Sequence, residues 1–310
     1  MNITGKIDPF MKTMKNGRVD GIKVLVIGGS GFVGSHLMRY FAASGTSSTG
    51  MDGLIKLDIR DINQIKQVIG DTNPELVINS SGLTNVDYCE THPEEALEIN
   101  GTAVGNIADC AEENGSILCH ISTDYVFSGS SGNYKEEDRP DPVNKYGISK
   151  KIGEEMLNGR KNIMLRISTP YGINYSRRKK TFLEFVVSNL MEGKKIRIVT
   201  DQFTTPTYVN EISLSIEKLY NARKYGTYHL GSNECLSRYD FSLLIADAFS
   251  LDRNLIEKAK TGELNFVARR PLNVCMNCSK IREIISISDI KSNLKEIRKN
   301  FQSSGDSSSP

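Results

Sequence analysis

Tyr146 and Lys150, in Tyr146-Gly147-Ile148-Ser149-Lys150, put a phenol and an ammonium on one face of any helix that carries them. A free phenol, with a pKa of about 10, is a poor proton donor near neutrality, and an ammonium beside it stabilises the phenolate. Upstream, Ile121-Ser122-Thr123 ends an apolar run and brings a hydroxyl to the end of an expected strand. With these three groups together, Tyr146 protonates a carbonyl oxygen as hydride reaches the carbon. Thr123 hydrogen-bonds the same oxygen, and Lys150 also holds ribose hydroxyls of a cofactor. The chemistry so specified is carbonyl reduction. Each residue alone has an ordinary alternative, as a surface Tyr, a solvated Lys or a strand-end Thr.

A hydride source has its own signature. Lys23-Val24-Leu25-Val26-Ile27 runs into Gly28-Gly29-Ser30-Gly31-Phe32-Val33-Gly34 and then into a helical pattern. In that strand-turn-helix setting the glycines allow a tight turn and close approach to a pyrophosphate, and the helix N-terminus offers unpaired N–H groups. Gly28, Ser30, Gly31, Phe32, Val33 and Gly34 are therefore the expected cradle of a nicotinamide dinucleotide, against the plainer reading of a glycine-rich turn. Asp52 follows Gly34 by 18 residues, and no Arg or Lys lies between Phe41 and Leu54. An acidic side chain there suits a ribose 2′-hydroxyl, so the pattern leans towards NADH while leaving NADPH open. Asp58, next to Ile59, either faces the adenine or caps a helix starting near Ile62.

The elements that must position these groups follow from hydrophobic patterning. Lys23 to Ile27, Leu76 to Asn79, Ser116 to Ser122 and Asn162 to Ile167 read as strands. Helical patterns separate them at about Gly34 to Ala43, Pro93 to Asn114 and Lys145 to Leu157. This alternation predicts an α/β fold: a Rossmann-type doubly wound parallel sheet covered on both faces. After Tyr171 the rhythm loosens into a smaller interleaved α/β lobe, with helices at Thr181 to Met191, Glu211 to Ala222 and Tyr239 to Ser250 and a capping box at Ser237 and Asp240. The expected organisation is a flexible extension at 1–22 and a cofactor domain from 23–168 and about 204–223. A substrate lobe takes about 169–203 and 224–300, and a disordered tail 301–310.

Composition narrows the partners. With 39 Lys+Arg against 37 Asp+Glu the net charge is +2, which argues against nucleic-acid binding by bulk electrostatics. No apolar run approaches the roughly 20 residues of a spanning helix, so the expectation is a soluble, cytoplasmic protein without a membrane partner. Six cysteines are too sparse for a disulfide scaffold. Cys275 and Cys278 form one CxxC without further ligands, and are read as ordinary thiols with no metal.

Several tokens in order now identify a family. They are Ile121-Ser122-Thr123-Asp124-Tyr125-Val126-Phe127, Asn144-Lys145-Tyr146-Gly147-Ile148-Ser149-Lys150 with Gly153-Glu154, Asp201-Gln202-Phe203-Thr204-Thr205-Pro206-Thr207-Tyr208, and Arg270-Pro271 with Ser279-Lys280, and the resemblance they carry covers about residues 23 to 300. The chain resembles the extended short-chain dehydrogenase/reductase family, and within it the dTDP-4-dehydrorhamnose reductases. That resemblance implies Thr123, Tyr146 and Lys150 as catalytic residues, Asp124 beside a substrate sugar, and a nucleotide-sugar substrate such as a dTDP-sugar. It also places Asn79, Ser80 and Ser81 against the cofactor and Asn100 in support of the site, where either Asn also suits a backbone cap. It puts Gln202, Pro206, Thr207 and Arg270 in segments that build the substrate lobe. The Arg270 fork suits a diphosphate, or else a surface salt bridge. A homodimer is a further family expectation. Phe182 and Phe185 follow helical spacing and read as core rather than as a base platform.

The resemblance also leaves a rival of another class, a non-catalytic subunit like the β subunit of methionine adenosyltransferase. A sugar-nucleotide epimerase or dehydratase is a second rival, although Tyr125 stands where the dehydratases carry Glu. One departure bears on substrate: in Arg166-Ile167-Ser168-Thr169-Pro170-Tyr171-Gly172, Thr169 occupies the place where the rhamnose reductases usually carry Trp, and the chain has no Trp. Losing that platform points to a differently shaped sugar or to weaker binding.

Overall fold

A computed structural model describes residues 21–50, 53–176 and 179–303. Asp52 and most of both expected terminal extensions lie outside the described residues. Eleven strands occur among those described: β1 (Val24–Ile27), β2 (Ser44–Ser47), β3 (Ile55–Lys56), β4 (Leu76–Asn79), β5 (Ile117–Thr123), β6 (Asn162–Ile167), β7 (Ile196–Val199), β8 (Phe203–Thr204), β9 (Gly226–Leu230), β10 (Leu236–Ser237) and β11 (Ile256–Ala259). Seven of them form one sheet in the order β3-β2-β1-β4-β5-β6-β9, every neighbouring pair parallel. The chain reverses its winding between β1 and β4, and the crevice beyond the strand C-termini at that point is where open α/β sheets bind ligands.

Burial of both sheet faces explains why the strands read as continuous apolar runs. In β1, Val24 and Val26 join one core with Leu37, Phe41, Ile212 and Ile216, whereas Leu25 and Ile27 join the opposite core with Ile65, Ile69 and Ile107. Period-two alternation here separates two cores rather than core from water. A third core marks the smaller lobe. There Leu183, Val186, Phe241, Ile245, Leu294 and Ile297 pack around the parallel pair β7 and β11. β8 and β10 pair antiparallel beside it.

Several boundaries differ from the sequence reading. β9 is the edge of the large sheet, so a substrate lobe starting at 224 takes one strand too many; its pairing partner β6 lies some 60 residues upstream, beyond the reach of local pattern. The expected helix from Pro93 to Asn114 is interrupted by a π-turn at Glu98–Thr102, a form frequent at functional sites. At the ends, Ile22 packs on the first core, while the last helix, Ile290–Ser303, runs past 301 and packs Phe301 against Phe249. The Ser237 hydroxyl does cap Arg238–Phe249, accepting from the Asp240 N–H at 2.9 Å, but the Asp240 carboxylate takes the hydroxyl proton instead of a backbone N–H. Phe182 packs on the third core, but Phe185 is 41% exposed and is not core.

Cys275 is not an ordinary thiol: it is joined to Cys235, 40 residues upstream, while Cys278 remains a free, buried thiol. The spacing gave no hint of this, because the partner comes from the other side of a helix and a strand. Among the described residues no group of three or more His, Cys, Asp or Glu is arranged to hold a metal ion. No helix among them is long and apolar enough to cross a membrane.

Candidate active site

β5 ends at Thr123 and the helix Lys145–Glu155 begins one residue after its cap, Asn144, whose side chain accepts from the Gly147 N–H at 2.8 Å. Asn144 also donates to the Arg269 carbonyl at 2.9 Å, tying the start of this helix to the segment that carries Arg270. Gly153 lets the helix seat, since a Cβ there would lie 2.2 Å from the Asn100 carbonyl in the π-turn. Asn100 completes the joint: it clasps both backbone groups of Leu83, at 2.8 and 2.9 Å, and donates to the Ser149 hydroxyl at 3.1 Å.

This packing brings Thr123, Tyr146 and Lys150 together, all less than one-tenth exposed. The phenol of Tyr146 faces the Thr123 hydroxyl. Thr123 in turn donates to Asp124 at 3.0 Å and accepts from the Tyr125 N–H at 3.2 Å. Burial, first of all, pushes the Tyr146 phenol above its ordinary pKa, opposed by the Thr123 hydroxyl. That corrects the expectation that Lys150 lowers it. Lys150 donates to the Ile121 carbonyl at 2.9 Å and lies 3.2 Å from His120 Nε2, and its burial brings it down to about 8. Asp124 is raised to about 6 by burial, against hydrogen bonds from Ser168 and Thr123.

The glycine loop fits a dinucleotide. Gly28 has φ of 84°, and a Cβ on it would stand 2.7 Å from the Ser81 nitrogen; a Cβ on Gly34 would stand 2.1 Å from the Gly28 carbonyl. The helix Phe32–Phe41 starts at Gly31 with no side-chain cap, leaving its first N–H groups for an anion. Ser30 is held from the other lobe, its carbonyl accepting from the Ser176 hydroxyl at 2.6 Å. Asn79, Ser80 and Ser81 wall the loop: the Ser80 hydroxyl donates to the Ile27 carbonyl at 2.9 Å, and Asn79 accepts from Ser81. Asp58 neither caps a helix nor stands free. Asp61 caps Ile62–Thr72, while the Asp58 carboxylate pairs with Arg60 at 2.6 Å. Ile59 packs against the second core. An exposed Lys56, with its Cβ 2.9 Å from the place of a Cβ on Gly50, stands beside the loop after β2. Reading only as far as Leu54 missed this cation.

On the substrate side the residues engage one another. Gln202 is buried and donates to Thr261 at 3.1 Å. The Thr207 hydroxyl donates to the Leu230 carbonyl at 2.6 Å. Arg270 takes the salt-bridge alternative, pairing with Asp87 at 2.8 Å over the Phe266 ring, and lines a cleft of about 730 Å³ with Ser128, Asp201 and Leu272. Thr169 sits before Pro170 with φ of 38°, a strained conformation for a β-branched residue. Its hydroxyl lies 3.1 Å from that of Thr204 and 3.4 Å from Arg238 Nη2.

Sequence reasoning did not single out three of the groups assembled here. Arg238 was hidden in a helix cap, Ser168 in a strand end. His120 lay inside the apolar run Ile117-Leu118-Cys119-His120-Ile121, where a lone histidine reads as core. Glu154, quoted only as part of a motif, forms a buried pair with Arg166 at 2.7 Å and accepts from the Ser122 hydroxyl at 2.6 Å.

Comparison with known proteins extends over this whole arrangement. The family model described as the RmlD substrate binding domain matches residues 22–303. A dTDP-4-dehydrorhamnose reductase of Aggregatibacter actinomycetemcomitans is 32% identical over 292 residues, 89% of this chain and 98% of that protein. Methionine adenosyltransferase 2 subunit beta of Bos taurus is 28% identical over 276 residues, 84% of this chain and 82% of that protein. Among solved structures, the dTDP-4-dehydrorhamnose reductase of Bacillus anthracis in complex with NADP superposes with a TM-score of 0.81 at 27% identity, covering 89% of this chain and 98% of that one.

Proposed function

The chain belongs to the RmlD substrate binding domain family, and from that premise we propose that it reduces the 4-keto group of a nucleotide-linked 6-deoxy sugar, dTDP-4-dehydro-L-rhamnose to dTDP-L-rhamnose. It is an NAD(P)-dependent oxidoreductase of the kind its relatives are named for. The observation that carries the reading is that Tyr146 meets Thr123 at the end of β5, where Lys150 reaches the Ile121 carbonyl, in the sheet whose β1 runs into the glycine loop and its uncapped helix.

The dinucleotide, when bound, supplies hydride to C4. Gly28 to Gly34 hold its pyrophosphate, and Lys150 reaches its ribose hydroxyls. The buried phenol of Tyr146 is protonated at neutral pH, the state required of a donor, and gives its proton to the C4 oxygen. Thr123 turns its hydroxyl from Asp124 to the same oxygen, and the Asp124 carboxyl meets the sugar. Gln202 shapes the wall of the site through its bond to Thr261, and Thr169 offers a hydroxyl where an aromatic ring would offer a face. Lys56 beside the loop after β2 supports a 2′-phosphate, whereas Asp52 supports a 2′-hydroxyl, so the two cofactors are compared directly.

The test is incubation with dTDP-4-dehydro-L-rhamnose and NADH or NADPH. Stoichiometric loss of nicotinamide absorbance is expected, whereas an epimerase would regain its cofactor and show no net loss. The similarity to methionine adenosyltransferase 2 subunit beta favours a second reading, a regulatory subunit that keeps the dinucleotide site. Copurification with a methionine adenosyltransferase catalytic subunit and no ketone reduction with either cofactor would select it.

A further inference from the structure

The buried histidine of β5 links the catalytic lysine to the turn that walls the glycine loop. His120 is fully buried. Its Nδ1 lies 3.2 Å from Asn79 Nδ2, and its Nε2 lies 3.2 Å from Lys150 Nζ. The polarity of this chain of contacts follows from one group that has no choice. The Ser81 backbone N–H only donates, so the Asn79 atom 3.1 Å from it is the oxygen; the Ser81 hydroxyl donates to the same oxygen at 2.6 Å. Asn79 therefore turns its amide hydrogens to His120, and Nδ1 accepts. The neutral ring then carries its hydrogen on Nε2 and donates it to Lys150. Only an uncharged amine has the lone pair to accept it, and Lys150 spends one of its own hydrogens on the Ile121 carbonyl at 2.9 Å.

We propose that His120 is a positioning residue that couples the protonation of Lys150 to the orientation of the Asn79 amide, in a hydrogen-bond relay with two polarities. The polarity fixed by the Ser81 N–H requires a neutral Lys150. Protonating the lysine sets two donors face to face. The relay recovers only if the ring moves its hydrogen to Nδ1 and Asn79 reverses its amide, giving up the Ser81 N–H. Ser81 is the residue against which Gly28 packs, so the proton on Lys150 and the wall of the dinucleotide site change together.

The surroundings agree with this assignment. His120 stays neutral in both polarities: burial holds it well below the usual imidazole range, and Lys150 adds its charge to this when it is protonated. Lys150 is brought to about 8 by burial, partly offset by Glu154 on its own helix. From β6, Arg166 already pairs with that carboxylate. Tyr146 lies one turn before Lys150 on the same helix, and Asp124 acts on it from the end of β5.

The proposal rests on the reductase reading for its catalytic meaning but not for its test. Nitrogen-15 NMR of the cofactor-free protein labelled at histidine distinguishes the two tautomers, with the His120 signals assigned by their loss in His120→Asn. The expected result is a ring protonated on Nε2 at pH 10 that passes to Nδ1 protonation on acidification, with a midpoint near 8 and without becoming imidazolium. One tautomer retained throughout pH 6–10 overturns the relay. Asn79→Asp, which presents only acceptors, is expected to hold a proton on Nδ1 over the whole range; the wild-type switch surviving in that variant also overturns it. In turnover, Asn79→Asp moves the alkaline limb up by about one pH unit or more, and an unmoved limb counts against the coupling. A wild-type tautomer switch in a protein that reduces no nucleotide sugar keeps the relay and removes the reductase reading.

Discussion

The two sides of the active site are built differently. On the cofactor side, Thr123, His120 and Asn79 stand on adjacent parallel strands whose register is set by backbone hydrogen bonds, with His120 directly beside Asn79. On the substrate side, Thr169, Gln202, Arg238 and Arg270 come from four separate segments and are held by side-chain contacts with one another and with Thr204, Thr261 and Asp87. Backbone ladders fix positions for whatever side chain is present, whereas side-chain contacts change with every substitution. The first construction suits chemistry that must stay constant, the second a pocket whose ligand can vary.

The contrast predicts the largest effects on the cofactor side. Tyr146→Phe removes the proton donor without disturbing the sheet, so turnover falls by roughly 10²- to 10⁴-fold while dinucleotide affinity, measured by fluorescence titration, changes by less than about twofold. Turnover close to that of the parent would break the comparison at its centre. Next in size is the support beneath the catalytic helix. Glu154 and Arg166 are about 5% and 4% exposed at their side chains, and leaving one charge of such a pair unmatched costs about 3–5 kcal/mol. Glu154→Gln should therefore lower the denaturant midpoint markedly with little change in slope, more than any single change in the pocket wall.

Asp124 lies between the two constructions and carries a pH signature. Its carboxyl is raised from 3.8 to about 6, chiefly by burial. The folded state thus binds its proton more tightly than the unfolded one, a contribution complete below about pH 4 and lost as pH rises through 6. The loss is about 2–3 kcal/mol. Asp124→Asn removes it, so the variant is more stable than the parent at pH 7.5 and no more stable at pH 4, as thermal melts at the two pH values will show. A difference in stability between parent and Asp124→Asn that stays the same from pH 4 to 7.5 would show that Asp124 is relieved by groups beyond Ser168 and Thr123.

The same contrast governs how much was legible in the sequence. Gly28 to Gly34, Thr123, Tyr146 and Lys150 could be read because strand-turn-helix and i,i+4 spacing are local consequences of the backbone. Four strands of the large sheet, β1, β4, β5 and β6, were legible for the same reason; β2 and β3, short and without an apolar run, were not, and the place of β9 depends on a distant partner. His120 was not legible, since its meaning lies in side chains from β4 and the catalytic helix. The Cys235–Cys275 link and the Arg238–Thr169 contact were equally hidden, each joining segments dozens of residues apart. The Tyr146 phenol misled for a physical reason: a nearby lysine was counted, and the desolvation that outweighs it was not.

The smallest effect is the sharpest test of the substrate side. Arg270 is 10% exposed at its side chain and Asp87 is 35% exposed, so in an aqueous setting their pair contributes less than about 1 kcal/mol to stability. Burial opposes, but backbone donors from Ala268 and Val267 and the Arg270 guanidinium together hold the Asp87 carboxyl below its usual range. The carboxylate thus stays charged and keeps the guanidinium aimed along the cleft. If that fork also grips a diphosphate, Arg270→Ala raises KM for the nucleotide sugar about tenfold with kcat within twofold. Arg270→Lys recovers only part of this, because an ammonium lacks the paired donors. Melting temperatures that fall by several degrees at unchanged KM would instead make Arg270 a strut between the lobes, and the substrate side would then owe its grip to Arg238, the guanidinium beside Thr169.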